Sequence, residues 1–401
     1  MLIKNAHVFI DGEFRDVDVK YDNEKILEIG TNLQDDEVID AEGNYLFAGF
    51  VETHMHGGFR KSFYRNYYSK NAADWNGEED VKYILQELPK YGVTSVLATL
   101  DCQSIEDSCD ALRVIRKVRK EKVGADPFAF HYEGPFLNPK RSACLDPNLC
   151  VLPDKEYTLK LVDNDLSDVM IMCLAPELPG AKQWCEWITS QGVHVEIGYT
   201  LCDSDLIRQA ADWGADTTTH FYNGFEAMHH RKDGGIVGCL LEDRLTHQIT
   251  CDGHHVSAPW IKLGIKTKGI DKFYGVTDLF NFAGLEDGEY DNDFYGKIVI
   301  KDGAITTKKD GMLLGGNNTW DKIMRTARDK IGLSEIEVAK MYGENPAKCL
   351  GIKDRGKIEV GRRSDFCIMD KDYNVQKTFI NGTIYYQNNW KRFNNLYLYI
   401  W

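Results

Sequence analysis

Two histidines separated by one residue, His54 and His56, are the side chains whose type and spacing most clearly suit chemistry. They follow an apolar run and form the stretch Thr53-His54-Met55-His56. Alternate side chains of an extended segment point the same way, so both imidazoles can hold one metal ion. The chain contains 11 histidines, however, and such a pair also arises by chance, so its meaning depends on the elements that position it.

Short apolar runs alternate with helical patterns through most of the chain. Eight of these runs are predicted strands: 46–51, 94–99, 128–132, 169–174, 194–198, 216–219, 247–251 and 273–277. Amphipathic helices are predicted between several of them, at 78–88, 105–120 and 203–213. Runs that are apolar throughout suit parallel strands covered by helices. We therefore predict an α/β fold, a TIM-like (β/α)8 barrel, over residues 49–344.

The two ends of the chain have a different pattern. Short, partly alternating runs are separated by turn signals such as Asp11-Gly12 and Asn381-Gly382, which indicates strands. We expect residues 1–48 and 345–401 to meet as one small β-sandwich domain beside the barrel.

Polar residues stand where predicted barrel strands end. The third strand is followed by Glu133, the fifth by Tyr199, the sixth by His220 and the eighth by Asp278. In a TIM-like barrel the carboxyl ends of the strands surround one mouth, where the chemistry takes place. Taken singly, His220 could be a satisfied core histidine and Asp278 a helix N-cap. Together with His54 and His56 they supply the nitrogen and oxygen donors of a metal site.

The composition argues against several classes of function. The net charge is −14, from 48 basic and 62 acidic residues, which argues against binding to nucleic acid or to an anionic membrane. No apolar run approaches the roughly 20 residues of a membrane-spanning helix, and the N-terminus does not have the pattern of a signal peptide. The 11 cysteines are scattered, which is typical of reduced thiols in a cytoplasmic protein.

A series of short motifs runs through the chain in order. They are Ala48-Gly49-Phe50-Val51-Glu52-Thr53-His54-Met55-His56-Gly57-Gly58, His131-Tyr132-Glu133-Gly134-Pro135-Phe136, Ala175-Pro176-Glu177, Thr219-His220-Phe221-Tyr222-Asn223-Gly224, His229-His230-Arg231, Asp252-Gly253-His254-His255-Val256 and Val276-Thr277-Asp278. In these motifs, nearly from end to end, the chain resembles the N-acetylglucosamine-6-phosphate deacetylase family of the amidohydrolase superfamily. The resemblance implies metal-dependent hydrolysis of the N-acetyl amide of an amino-sugar phosphate, with release of acetate.

The resemblance also implies roles for individual residues. The implied metal ligands are His54, His56, Glu133, His220 and Asp278. Asp278 would also be the catalytic base, which takes a proton from water and later passes it to the leaving amine. The implied substrate and phosphate contacts are Asn223, Gly224, Arg231 and His255. A homodimer that binds a small phosphosugar is implied as well, with Zn as the expected divalent metal and Fe or Mn compatible with the same ligands.

Two positions depart from the family pattern. Tyr199 stands where the family has a metal-binding histidine, and Leu145 stands where a family histidine reaches the substrate. A neutral phenol is a poor metal ligand, and its ordinary pKa is about 10. We therefore expect one strongly bound ion near His54, His56 and Asp278.

Two alternatives to phosphosugar deacetylation stay open on the sequence alone. The changed residues fit an amidohydrolase that acts on a different N-acyl sugar or related amide. They also fit a catalytically silent sugar-binding homologue, although such a protein has no need of the retained ligands. Metal content and acetate release from a panel of N-acetyl hexosamines would separate the three.

Overall fold

The computed structural model describes residues 1–65, 75–292 and 294–388 of the chain. Its first part forms strands β1 (Leu2–Ile10), β2 (Glu13–Tyr21), β3 (Ile26–Gly30), β4 (Val38–Asp40) and β5 (Tyr45–Ala48). β1, β2 and β3 pair antiparallel, and β1 also pairs in parallel with β4 and β5. Asp11 and Gly12 make the predicted turn between β1 and β2, both at positive φ, 54° and 80°.

The chain then enters the barrel. The next strands are β6 (Phe50–Met55), β7 (Gly57–Gly58), β8 (Lys61–Ser62), β9 (Val93–Leu100), β10 (Asp126–Phe136), β11 (Val169–Leu174), β12 (His194–Ile197), β13 (Thr217–Thr218), β14 (Thr246–Ile249) and β15 (Phe273–Gly275). Apart from the β7–β8 hairpin, they form one parallel sheet of eight strands within the described residues, in the order β15-β14-β13-β12-β11-β10-β9-β6. The predicted TIM-like α/β barrel is confirmed.

The predicted strand 46–51 is wrong in one respect, because it is two strands. β5 belongs to the sheet of the chain ends, and β6 begins the barrel after Gly49. Only a glycine fits at this passage, since a Cβ on Gly49 would lie 2.3 Å from the side chain of Thr94.

Helices connect the barrel strands and continue after them. They are α1 (Gly77–Glu87), α2 (Ile105–Arg119), α3 (Lys155–Leu161), α4 (Ala181–Ser190), α5 (Ser204–Asp212), α6 (Gly235–Leu241), α7 (Ala258–Lys268), α8 (Trp320–Thr326), α9 (Glu335–Ala339) and α10 (Asn345–Cys349). The three predicted helices are α1, α2 and α5. Ser104 and Asp203 cap α2 and α5 by accepting hydrogen bonds from backbone N–H groups of the first turn. Within the described ranges no helix is long and apolar enough to cross a membrane.

Hydrogen bonds join the first barrel strand to the segment after the last one. The backbone N–H of Asp278 donates to the carbonyl of His54 at 2.9 Å. The buried carboxylate of Glu52 accepts from the N–H of His54 at 2.9 Å and from the N–H of Thr277 at 3.1 Å. The fold itself therefore fixes the strand ends that carry His54 and Asp278 relative to one another.

A small antiparallel sheet follows the barrel strands and was not predicted from the sequence. Its strands are β16 (Gly288–Asn292), β17 (Gly296–Lys301), β18 (Ala304–Thr307) and β19 (Leu313–Gly316). One apolar cluster joins this sheet to the barrel mouth, and its members include Leu145, Tyr199, Phe280, Ile298, Ile300 and Leu314. The N–H of Gly316 also donates to the carbonyl of Asp278 at 2.6 Å, so the sheet supports the loop after β15.

The described end of the chain returns to the first strands. It forms β20 (Phe366–Met369), β21 (Val375–Ile380) and β22 (Thr383–Gln387). β20 pairs antiparallel with β5, so the described residues of both ends share one sheet, ordered β22-β21-β20-β5-β1-β2-β3 with β4 beside β1. The boundaries of the predicted small domain, 1–48 and 345–401, stay predictions, and residues 389–401 lie outside the described residues.

Candidate active site

His54, His56 and Asp278 come together at the mouth of the barrel. One ligand atom from each lies within 4.8 Å of the others, and all three side chains are buried. The Nε2 atoms of the two histidines are 3.3 Å apart. Asp278 Oδ1 lies 3.4 Å from His54 Nε2 and 3.6 Å from His56 Nε2. Three potential ligands from two strand ends therefore surround one small volume.

The hydrogen bonds of the two imidazoles leave both Nε2 atoms available as ligands. Gln248 directs its amide nitrogen at a buried carboxylate, so its Oε1 accepts from His54 Nδ1–H at 2.8 Å. Tyr64 donates its hydroxyl proton to Asp101 at 2.6 Å, so its oxygen accepts from His56 Nδ1–H at 3.3 Å. Each Nδ1 therefore carries a proton, which leaves Nε2 as the atom that each histidine would offer to a bound ion.

Glu133 adds a second carboxylate to the centre. Its Oε1 lies 3.4 Å from His54 Nε2 and its Oε2 lies 3.1 Å from His56 Nε2. Burial lowers the pKa of His54, but the carboxylates of Glu133 and Asp278 outweigh it and raise that pKa to about 10. Burial would raise the pKa of Glu133, yet the charge of His54 and bonds from the histidines hold it well below its usual range. The centre is thus buried and strongly favours a cation.

This donor set fits a divalent metal ion. Imidazole nitrogens and carboxylate oxygens are ligands that Zn, Fe and Mn all accept. The two Nε2 atoms lie 3.3 Å apart in a buried site, and each would give a lone pair to a bound cation. The residues that the sequence placed at strand ends therefore fit the ion that the sequence analysis expected.

A buried polar network behind the metal donors was not predicted from the sequence. Glu196 accepts from Gln248 Nε2 at 2.8 Å and lies 2.5 Å from His131 Nε2. The available signal was the occurrence of these polar residues inside apolar strand runs, where a buried polar group needs a partner. The network fixes the amide of Gln248 and, through it, the ring of His54.

Replacing Gln248 by Leu removes the acceptor that orients the His54 ring. We expect metal affinity to fall about 10- to 100-fold, the usual cost of losing a partner behind a metal ligand. Competition with a chromogenic chelator measures this affinity. Thr158→Val is the matched control, because it removes buried hydrogen bonds on α3 that involve Asp154 and Trp184 and none of the metal donors. Equal affinities in both variants would contradict the role given to Gln248.

Tyr199 lies against Glu133 and His220. Its hydroxyl donates to Glu133 Oε1 at 2.8 Å and lies 2.9 Å from His220 Nε2, which is itself 2.8 Å from Glu133 Oε1. Burial and the charge of Glu133 raise the pKa of Tyr199 well above its ordinary value, so the phenol keeps its proton. That His220 binds metal stays a prediction, and this geometry favours a hydrogen-bonding role for it.

His255 lies near the carboxylate of Asp278, with 4.0 Å between His255 Nε2 and Asp278 Oδ2. Its Nδ1 is 2.6 Å from Asp252 Oδ2, and Asp252 Oδ1 accepts from the N–H groups of His254 and His255. Burial opposes protonation, but the charge of Asp252 outweighs it and raises the pKa of His255. An imidazole held in this way beside Asp278 is suited to bind a polar group of a substrate.

Asn223 and Gly224 lie in the turn that follows His220. Asn223 Nδ2 donates to the carbonyl of His220 at 3.1 Å. Gly224 has a φ of 75°, and its carbonyl accepts from the N–H of Thr200 at 3.2 Å. Both residues therefore lie close to the end of β12, where Tyr199 and Thr200 follow the strand.

Arg231 and Leu145 have contrasting surroundings. Arg231 lies in an exposed loop, where its Nη1 is 2.9 Å from His230 Nε2. The hydrogen bonds found for Arg231 within the described residues stay in that loop. Leu145 is buried and shares the apolar cluster of Tyr199. The position at which the family has a substrate-binding histidine is therefore part of an apolar wall.

Fold and site together define the class of the protein. The model of the Amidohydrolase family matches residues 295–385. The crystal structure of N-acetylglucosamine-6-phosphate deacetylase from Pasteurella multocida matches with a TM-score of 0.86 and 25% identity, over 96% of this chain and 99% of that chain. The protein is an amidohydrolase, a hydrolase that acts on amide C–N bonds.

Sequence relatives narrow this class. The N-acetylglucosamine-6-phosphate deacetylase of Bacillus subtilis (strain 168) is 30% identical over 390 residues, which are 96% of this chain and 93% of that protein. The N-acetylgalactosamine-6-phosphate deacetylase of Escherichia coli O157:H7 is 26% identical over 353 residues, 86% of this chain and 89% of that protein. The chain belongs to the N-acetylglucosamine-6-phosphate deacetylase family, as its motifs predicted.

Proposed function

We propose that the protein hydrolyses the N-acetyl amide of N-acetylglucosamine 6-phosphate and releases acetate and the free amino sugar. The convergence of His54, His56 and Asp278 within 4.8 Å carries this proposal, because a sugar-binding homologue without activity has no need of it. The Bacillus subtilis relative, 30% identical, is named for this reaction.

The steps of the reaction can be assigned to residues. His54 and His56 would hold the ion through Nε2, together with the carboxylates of Asp278 and Glu133. When bound, a divalent ion supplies Lewis-acid chemistry that makes water more acidic and stabilises negative charge on the amide oxygen. Asp278 takes a proton from the water whose oxygen joins the amide carbon. It passes this proton to the nitrogen as the C–N bond breaks, which yields acetate and the amine.

We assign substrate binding to Asn223, Gly224, Arg231 and His255. His255 stands 4.0 Å from Asp278, so it can reach groups next to the reacting amide. Arg231 supplies positive charge for the phosphate, since a guanidinium donates two parallel hydrogen bonds to such a group. Within the described residues Arg231 bonds to no carboxylate that a phosphate would have to displace.

The remaining parts of the proposal concern the ion and the assembly. One strongly bound ion is proposed, with Zn as the expected metal and Fe or Mn as ions that the same ligands accept. A homodimer in the cytoplasm is proposed as well. All 11 cysteines are free thiols, which supports a reducing compartment.

Acetate release from purified, metal-loaded protein tests the reaction. We expect N-acetylglucosamine 6-phosphate to be hydrolysed with a kcat/KM at least about 10-fold above that of free N-acetylglucosamine, because the phosphate adds charge-assisted hydrogen bonds. N-acetylgalactosamine 6-phosphate belongs in the same assay, since the Escherichia coli relative is named for it. Turnover of another N-acyl sugar, with none of the two phosphosugars, would show that the proposed substrate is wrong.

A further inference from the structure

The side chain of Tyr199 lies at a point on which a nitrogen and an oxygen donor converge. Glu133 Oε1 and His220 Nε2 are 2.8 Å apart, and the Tyr199 hydroxyl is 2.8 Å from the first and 2.9 Å from the second. A carboxylate oxygen and an imidazole nitrogen so arranged are two of the ligands that a divalent ion uses. In this chain a phenol oxygen lies within hydrogen-bond distance of both.

We propose that the Tyr199 hydroxyl takes the place of a second metal ion, and that Tyr199 is the positioning residue that limits this centre to one ion. The proposal deepens the proposed function, since it concerns the same metal centre. It differs from the loss of a ligand in one respect. A missing ligand would weaken a second site, whereas a hydroxyl hydrogen-bonded to both remaining donors occupies it.

The hydrogen bonds among Tyr199, His220 and Glu133 determine which atom carries each proton. Tyr199 gives its one hydroxyl proton to Glu133 Oε1, so its oxygen is left as an acceptor. His220 Nε2, 2.9 Å from that oxygen and 2.8 Å from Glu133 Oε1, must then be the donor. A nitrogen that carries a proton has no lone pair for an ion, so His220 acts here as a hydrogen-bond donor to Glu133.

The backbone holds the Tyr199 ring in this position. Tyr199 has a φ of 49°, in the left-handed region, and its carbonyl accepts from the N–H of Asn138 at 3.1 Å. Gly224 packs closely against it, since a Cβ on Gly224 would lie 3.2 Å from Tyr199 N and 3.4 Å from the ring atom Cδ1. Tyr199 is only 4% exposed, so neighbouring residues enclose its ring.

Leu145 links the second departure from the family pattern to the first. Leu145 is 4% exposed and lies in the same apolar cluster as Tyr199 and Phe280. The apolar side chain of Leu145 therefore belongs to the cluster that encloses Tyr199, where a histidine would bring another polar group. Both departures together replace the surroundings of an ion with those of a buried phenol.

Counting bound metal tests the proposal without any substrate. Wild type, Tyr199→His, Tyr199→Phe and Tyr222→Phe are loaded with excess Zn, desalted and analysed by mass spectrometry for metal per chain. We expect about one ion in wild type and in both phenylalanine variants, and about two in Tyr199→His, because an imidazole completes a three-ligand set with Glu133 and His220. Tyr222→Phe is the matched control, since the Tyr222 hydroxyl bonds to the carbonyl of Trp260.

The double variant Tyr199→His with His220→Asn should return to one ion, which assigns the added ion to this position. Two ions in wild type would overturn the proposal, and so would a folded Tyr199→His that still binds one. Circular dichroism and thermal unfolding establish folding. If Tyr199→His does not fold, Tyr199→Glu takes its place, because a carboxylate also completes a three-ligand set with Glu133 and His220. Two ions in a folded Tyr199→Glu support the proposal, and one ion overturns it.

This readout is independent of the proposed reaction. Protein that shows the expected counts and releases no acetate keeps the metal inference and loses the proposed function. Wild-type protein that releases acetate and binds two ions supports the proposed function and overturns the metal inference.

Discussion

Asp278→Asn should lower kcat for acetate release about 10²- to 10⁴-fold, the range that general acid–base catalysis contributes. An asparagine has the shape of the aspartate but cannot accept the proton of the attacking water. KM should change far less than kcat, because the amide still fits the site and the proposed substrate contacts lie on other residues. Initial rates of acetate release across substrate concentrations separate the two constants.

The position of Asp278 explains why so large an effect is expected. Its Oδ1 lies 3.4 Å from His54 Nε2, and its Oδ2 faces His255 Nε2 at 4.0 Å. One oxygen therefore points to the metal donors and the other to a proposed substrate contact, which suits the proposed transfer of a proton from water to the leaving nitrogen. Its φ of 53° and the hydrogen bonds of its N–H and carbonyl to His54 and Gly316 hold it there.

Asp80→Asn is the matched control for this variant. Asp80 is also a buried carboxylate, but it pairs with Lys61 at 2.6 Å and takes no part in the centre. Its substitution should leave kcat within about 2-fold, in keeping with residues outside a reaction site. A kcat for Asp278→Asn above a tenth of wild type, with metal content unchanged, would refute the role of Asp278 as the base.

The main barrel and the position of its mouth could be predicted because the signals are local. Each strand is a short apolar run, and the residue that ends it must face the mouth in this fold. His54, His56 and Asp278 meet for this reason, although Asp278 is far along the chain from the histidines. The predicted order of the strands thus located a metal site whose ligands come from separate segments of the chain.

The sheet β16–β19 was missed because its strands are short and follow the last barrel strand without a helix. A signal was present, since Asp302-Gly303 makes the turn between β17 and β18 at φ values of 52° and 91°. Its consequence, an apolar wall over Leu145 and Tyr199, depends on packing between distant segments. No local pattern encodes such packing.

The contacts of Tyr199 could not be predicted from the sequence for a related reason. A tyrosine at position 199 indicated that a family histidine is missing. The direction of its ring, however, depends on a φ of 49° and on the close approach of Gly224. Its partners Glu133 and His220 come from two other strands. The hydrogen bonds of Gln248 and Glu196 behind His54 likewise required the register of neighbouring strands.

His56→Asn should remove the bound ion, whereas His220→Asn should keep it. His56 directs its Nε2 to the centre, 3.3 Å from that of His54, and the shorter amide of asparagine cannot reach the same position. Loss of a direct ligand should lower metal affinity by at least the about 100-fold that loss of a partner behind a ligand can cost. His220 Nε2 is already engaged by Glu133 and Tyr199, so its removal takes no ligand from that ion.

The two histidine variants form a matched pair, since each removes one buried imidazole that contacts Glu133. Metal retained after dialysis against a weak chelator distinguishes them, and acetate release should follow the metal, with His56→Asn inactive and His220→Asn active. The opposite pattern, in which His220→Asn loses the ion and His56→Asn keeps it, would place the main ion between Glu133 and His220. That result would reject both the one-ion centre at His54 and His56 and the role of the Tyr199 hydroxyl, because a phenol and an ion cannot occupy the same position.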